Sequence, residues 1–190
     1  LDTYRRKFSR SPFIEEAEGM YALCHYYMSP PPEYDQTMTT QAIIAITEFM
    51  SRYPESEHNA EFGDMLEELN QRLMQKSYMN AYTYYKVGRY KAAIVAFKNA
   101  MKRYPESPYT EQMMYYQTVS AYRLAENSVE SKQEDRYLAM LDNYYSFIAA
   151  YPELGCTHKP ERPSDRCTGK EATFERMPAI VDESLEILPT

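Results

Sequence analysis

Three groups of side chains in this 190-residue sequence are candidates for chemistry: a Cys-His pair, a Cys/His group near the C-terminal end, and a stripe of tyrosines. Cys24 and His25 are adjacent, so on a helix they diverge by about 100° and cannot face one another as a nucleophile and its base must. They read as a packed thiol, the ordinary position of free Cys, and a surface or interface imidazole. Cys156, His158 and Cys167 lack a fourth ligand at the paired short spacings zinc sites use. A Cys156–Cys167 disulfide closing a small loop is the better reading of those residues in an oxidising compartment. The acidic neighbours Glu15-Glu16, Glu67-Glu68 and Glu126 with Glu130 share no evident cleft and read as solvated helix faces. Five scattered glycines cannot build a phosphate loop. These residues point to no catalytic site, metal or cofactor.

The tyrosines are different. Tyr78, Tyr82 and Tyr85 fall at i, i+4 and i+7, on one face of a helix, with Met79 and Lys86 flanking them. Two uses of that stripe stay open. The rings could fill contacts between neighbouring helices, the common fate of a helical aromatic stripe. Alternatively they could grip an extended or hairpin peptide through aromatic faces and hydroxyls. With 20 Tyr and no Trp, the composition suits shallow, half-exposed packing.

The elements that position these residues follow from a repeat. Phe49-Met-Ser-Arg-Tyr53-Pro54-Glu55-Ser56 recurs as Ala100-Met-Lys-Arg-Tyr104-Pro105-Glu106-Ser107 and again as Phe147-Ile-Ala-Ala-Tyr151-Pro152-Glu153. Ser11-Pro12-Phe13 likewise echoes Ser107-Pro108-Tyr109, so the chain is expected to begin just after a further Tyr-Pro boundary, with targeting information missing. Between these marks the apolar spacing is helical: Phe62, Leu66, Leu69 and Leu73 form one stripe, and Met38, Ala42, Ala45, Phe49 and Tyr53 another. Each Pro ends a helix, because it lacks the amide donor and pushes the preceding residue out of helical geometry. Gly88 reads as the turn between paired helices. Helices are predicted at about 11–28, 35–53, 57–87, 89–104, 108–126 and 133–151, grouped as repeats 11–54, 57–105 and 108–152. Residues 154–190 read as an irregular tail. No apolar run approaches the ~20 residues of a membrane span, and a net charge of −7 argues against nucleic acid as a partner.

Ala81 to Pro105 closely resembles the tetratricopeptide repeat, with Ala81 and Tyr84 in the first helix, Gly88 and Tyr90 at the turn, Ala93, Phe97 and Ala100 in the second, and Pro105 closing the unit. The spacing between prolines exceeds that family's 34-residue period, so the fold class is all-α, a helix-turn-helix solenoid with lengthened repeats. Several further stretches, in order and at family-like spacing, are similar to the BamD family of outer-membrane assembly lipoproteins. They are Cys24-His25-Tyr26-Tyr27-Met28-Ser29-Pro30, Asp35-Gln36 with Thr39-Thr40 and Ala42-Ile43, Tyr104-Pro105 with Ser107-Pro108-Tyr109, and Leu124-Ala125 with Asn127-Ser128. The likeness covers about residues 1–153.

That resemblance implies a non-catalytic scaffold at the periplasmic face of the bacterial outer membrane, held there by an N-terminal lipid anchor absent from this chain. It implies two classes of partner, the periplasmic domains of BamA and the C-terminal targeting segment of unfolded outer-membrane β-barrel proteins. It also implies a peptide groove whose edge carries Tyr26, Tyr27, Asp35, Gln36 and Thr40 and whose wall carries Tyr78, Met79, Tyr82, Tyr85 and Lys86. An aromatic-terminated client would suit that wall, and the net charge would disfavour acidic ones. The alternative is a generic periplasmic tetratricopeptide adaptor for other proteins.

Overall fold

The computed structural model describes residues 2–152; the tail, with Cys156, His158 and Cys167, lies outside the described residues. The described residues form seven helices and no strand: α1 (Asp2–Lys7), α2 (Ile14–Tyr27), α3 (Thr37–Arg52), α4 (Asn59–Lys86), α5 (Tyr90–Arg103), α6 (Thr110–Glu126) and α7 (Glu130–Ala150). The class is all-α and tetratricopeptide-like. The short α1 was not foreseen as a separate helix, and α7 starts three residues earlier than the pattern suggested.

The repeated Tyr-Pro mark has one physical form. At Tyr53, Tyr104 and Tyr151 the backbone leaves helical geometry with φ of −124°, −132° and −132° and ψ of 69°, 73° and 69°. Each of these residues still donates its amide to the carbonyl four residues back at 2.9 Å, and the following Pro supplies no donor to continue the ladder. The Ser-Pro echo is equally literal. The Oγ atoms of Ser11 and Ser107 each accept the amide two residues on, from Phe13 and Tyr109, both at 3.2 Å. These turns start α2 and α6 with the same geometry.

The described residues divide into two compact units between Met79 and Asn80, so the middle repeat read from the sequence is shared between them. In the first unit, α2 packs on α3 and the N-terminal part of α4 completes the core. Ala22, Ala42, Ala45, Ile46, Phe49, Phe62, Met65 and Leu69 are buried together, with Phe49 and Phe62 edge to face at 4.9 Å. Small alanines let the helices approach while the aromatic rings fill the space beside them. Buried Glu18 is compensated by Arg52, which donates to it, and by Arg5 of α1 at 3.8 Å. A buried carboxylate without such partners would be strongly destabilising. Arg5 also lies 3.9 Å over the Tyr21 ring, which ties α1 to α2.

In the second unit, α5 packs on α6 and α6 on α7. Ala93 and Phe97 are fully buried and Ala100 nearly so. Met140 of α7 occupies a position where the other repeats carry a small residue, and it is completely buried. The volume is recovered on the facing helix, where Ala121 and Ala125 of α6 line the same cluster; a large-for-small exchange is tolerated where the partner gives way. Gly88 is the sole described residue with a positive-φ backbone among the glycines, at 73°. Its amide donates to Tyr85 at 3.0 Å and that of Arg89 to Tyr84 at 2.9 Å, the paired bonds of a left-handed helix C-terminus.

Candidate peptide-binding surfaces

The first unit builds its candidate edge around the Ser29–Gln36 loop joining α2 to α3. Gln36 is its hub: the amide Nε2 donates to the Pro31 carbonyl at 2.8 Å, and Oε1 accepts from Thr39 Oγ1 at 2.7 Å. Thr39, fully buried, also meets Ser29 Oγ at 2.7 Å. Two cations on α4 close the loop from the other side. Arg72 donates to the Ser29 carbonyl and Oγ, both at 3.0 Å, and Lys76 donates to the Glu33 carbonyl at 2.9 Å. A proline-rich loop cannot satisfy its carbonyls from its own amides, so side chains do it.

Asp35 and Thr40 work locally at the start of α3. Asp35 Oδ1 accepts the Thr37 amide at 2.9 Å, and Thr37, through its side chain first and its amide second, holds the carboxyl below the ordinary carboxylate value. Thr40 Oγ1 donates to the Gln36 carbonyl at 3.1 Å. Of the two adjacent tyrosines, Tyr26 turns inward and Tyr27 outward. Tyr26 is half-buried, and its hydroxyl donates to Glu68. Tyr27 is 77% exposed and meets Tyr26 edge-on at 5.3 Å. The Glu68 carboxylate raises the Tyr26 pKa above the usual phenol value, and Tyr26, then Arg72, lowers that of Glu68. Glu68 is therefore not simply part of a solvated face, as the sequence suggested.

The second unit supplies an aromatic cluster. Tyr82 and Tyr85 stack at 5.8 Å with an interplanar angle of 25°. Tyr116 of α6 lies 4.7 Å from Tyr82 and 5.0 Å from Tyr85, and is itself stacked on the buried Phe97 at 6.4 Å. Tyr90 approaches Tyr85 at 6.2 Å. All four tyrosines are half-buried. Burial pushes the Tyr85 pKa up, so this ring keeps its proton and presents a neutral hydroxyl. Exposed Lys86 places Nζ 5.0 Å from the Tyr82 ring centroid, a cation–π contact of about 0.5–1 kcal/mol at such sites. The arrangement suits recognition of apolar and aromatic side chains, and it places no general acid or base at a shared point.

The structure thus gathers Tyr82, Tyr85 and Lys86 in the second unit, and Tyr26, Tyr27, Asp35, Gln36 and Thr40 around one loop in the first. Tyr78 and Met79, half-buried, belong to the first unit's part of α4. Tyr116 and Arg72 were missed by sequence reasoning, while Tyr90 was read only as a turn residue and Glu68 only as part of a solvated face. The Glu68/Arg72 spacing was a visible signal, since residues four apart on a helix meet. Tyr116 carried none, because its place depends on how α6 packs. Cys24 is a correction: it is exposed rather than packed, because α2 buries Glu18, Gly19 and Ala22 on its other face. His25 packs its ring against Tyr21 at 4.6 Å. Among the described residues no group of three or more His, Cys, Asp or Glu side chains converges on a metal-sized site. No described helix is long and apolar enough to cross a membrane.

Comparison with known proteins decides the family. The model described as YfiO, outer membrane lipoprotein, matches residues 1–154, which takes in both sets of tyrosines. The chain belongs to the YfiO family. It is also similar to the outer membrane protein assembly factor BamD of Caulobacter vibrioides, 25% identical over 137 residues. That likeness covers 72% of this chain and 45% of the relative, so this YfiO-family chain spans less than half the length of that protein.

Proposed function

We propose that this chain is a non-catalytic scaffold of the outer-membrane β-barrel assembly machinery, working at the periplasmic face of the outer membrane. In this reading it binds the periplasmic domains of BamA and receives the C-terminal targeting segment of unfolded barrel proteins. The observation that carries the reading is the family match across residues 1–154. The Tyr82/Tyr85/Tyr116 cluster supports the client site, because rings already stacked on one another lose little further freedom when a peptide arrives. In the first unit, exposed Tyr27 offers an aromatic surface of its own beside the loop that Asp35, Gln36 and Thr40 hold.

The test is fluorescence anisotropy with a labelled peptide copied from the last residues of an outer-membrane barrel protein and ending in Phe. Tyr82→Ala combined with Tyr85→Ala is expected to weaken binding about tenfold or more, roughly 1.4 kcal/mol, while capture of BamA from outer-membrane extract by the full chain persists. Unchanged peptide affinity would reduce the stripe to packing. Failure to capture BamA, with other periplasmic proteins recovered instead, would favour a generic adaptor.

A further inference from the structure

The net charge of −7 conceals a sharp asymmetry. From Asn80 to Pro105 the chain carries six cations, Lys86, Arg89, Lys91, Lys98, Lys102 and Arg103, and no Asp or Glu. This stretch is the end of α4, its turn, and the whole of α5. Like charges concentrated on one helix lower stability slightly and attract counter-charge strongly.

The same stretch borders an open cavity of about 1020 Å³, formed wholly within the second unit. It is lined by the outward face of α5, where Ala92, Val95, Ala96 and Asn99 follow helical spacing, and by Leu124 of α6 and Asn127 just past its end. Tyr84, the Gly88 turn and Tyr90 also line it, as do the exposed Arg89 and Lys91. The apolar lining is open to solvent: Tyr84 is 46% and Val95 54% exposed. Among the described residues neither Arg89 nor Lys91 forms an ion pair. The nearest carboxylate along α6, Glu126, is taken by Arg123 at 2.8 Å. The cavity thus couples apolar surface to unneutralised positive charge. Tyr82, Tyr85 and Tyr116 do not line it; of the tyrosine cluster, Tyr90 alone reaches its wall.

We infer that this cavity is a second docking site, for an acidic amphipathic segment of a partner protein. An amphipathic helix laid in such a groove would seat two or three aliphatic side chains over Ala92, Val95 and Leu124 and direct Asp or Glu toward Arg89 and Lys91. Charge complementarity selects the occupant. A basic or neutral segment would gain the same apolar contacts without the ion pairs and without the faster, steered encounter. The whole-chain charge, which argues against acidic clients, does not describe this face.

The experiment uses the full chain and a fluorescein-labelled 16-residue helical peptide, with Leu and Ile on one face and Glu on the other; ~16 residues span about four helical turns. A twin peptide carries Lys in place of Glu. The acidic peptide is expected to bind, to lose about tenfold in affinity to Arg89→Glu combined with Lys91→Glu, and to weaken similarly with Val95→Asp. Its affinity is expected to fall with added salt and to be unaffected by Tyr82→Ala with Tyr85→Ala, which keeps this result separate from that for the client site. Circular dichroism confirms that each variant is folded; if Val95→Asp is not, the exposed Arg89/Lys91 pair carries the test alone. Equal binding of the Lys peptide, or variants that bind the acidic peptide as the parent does, overturns the inference. Equally decisive against it would be phosphatidylglycerol vesicles displacing the acidic peptide and binding more tightly, or self-association abolished by the double charge reversal. A photocrosslinker at position 95 that reacts only with residues beyond 152 of the same chain would also overturn it.

Discussion

Each unit sets a cation over a tyrosine ring, Arg72 over Tyr26 at 5.7 Å and Lys86 over Tyr82 at 5.0 Å, yet the surroundings make them opposite devices. Around Tyr26 the polar groups form a chain: Glu68 takes the hydroxyl, Arg72 reaches the Ser29 carbonyl and hydroxyl, and the bonds run on from Ser29 through Thr39 to Gln36. Tyr82 meets two further rings, Tyr85 and Tyr116, and Lys86 beside it remains exposed. Hydrogen bonds demand fixed partners at fixed angles, so the first region holds a loop in one shape. Aromatic stacking tolerates many offsets, so the second can take up varied side chains. Similar residue types therefore give a clamp in one unit and an adaptable surface in the other.

The comparison breaks most visibly in the cores. Phe97→Ala and Phe49→Ala each remove a fully or almost fully buried ring and are expected to cost about 3–5 kcal/mol in urea unfolding. They differ in what else they move. Phe97 backs Tyr116, so its loss should also change the near-ultraviolet tyrosine signal and weaken the client peptide. Phe49 packs on Phe62 and should leave peptide affinity unaltered wherever the protein is still folded. Equal effects of both on the peptide would show that the tyrosine cluster does not depend on its own core.

A smaller effect is expected at the Gly88 turn. No atom lies within 4 Å of an added Cβ, so Gly88→Ala meets only the left-handed backbone penalty, about 1–2 kcal/mol. A loss well beyond that range would mean that the turn shifts Tyr84 and Tyr85.

The smallest effect is a change of slope with pH at the clamp. Glu68 titrates below its ordinary value of 4.5, first through the Tyr26 hydroxyl and then through Arg72. A depressed carboxylate contributes stability above its unfolded pKa and loses it as pH falls from about 4.5 through the lowered folded value. Tyr26, raised above 10.0, contributes the other way: its share is present below that value and lost as pH climbs through the raised one. Glu68→Gln should flatten both limbs of a urea-midpoint profile, slightly because the Glu68 carboxylate is about half exposed and solvent screens it. Profiles that superimpose on the parent's would sink the clamp as an energetic unit.

Much of this was legible beforehand. The Tyr-Pro marks located the ends of α3, α5 and α7, because proline acts on its own backbone and needs no tertiary partner. The apolar stripe through Phe62, Leu66 and Leu69 located α4, because a buried face must recur at the helical period. The site was legible only in part. Tyr82 and Tyr85 were evident from spacing, whereas Tyr116 came from a helix whose rotation no local pattern reports. Cys24 was misread because free thiols are usually buried, and α2 happens to face its small residues inward instead.

The amino-acid sequence by itself determined where helices start and stop, which face of each is apolar, and the left-handed turn at Gly88, since all three depend on neighbours within a few residues along the chain. Tertiary structure alone decided which tyrosine of Tyr26 and Tyr27 is clamped, which rings meet Tyr82, and that α5 turns Val95, with the Arg89 and Lys91 cations nearby, toward an open cavity. Those outcomes turn on helix rotation and partner choice, set by packing between residues far apart in the chain.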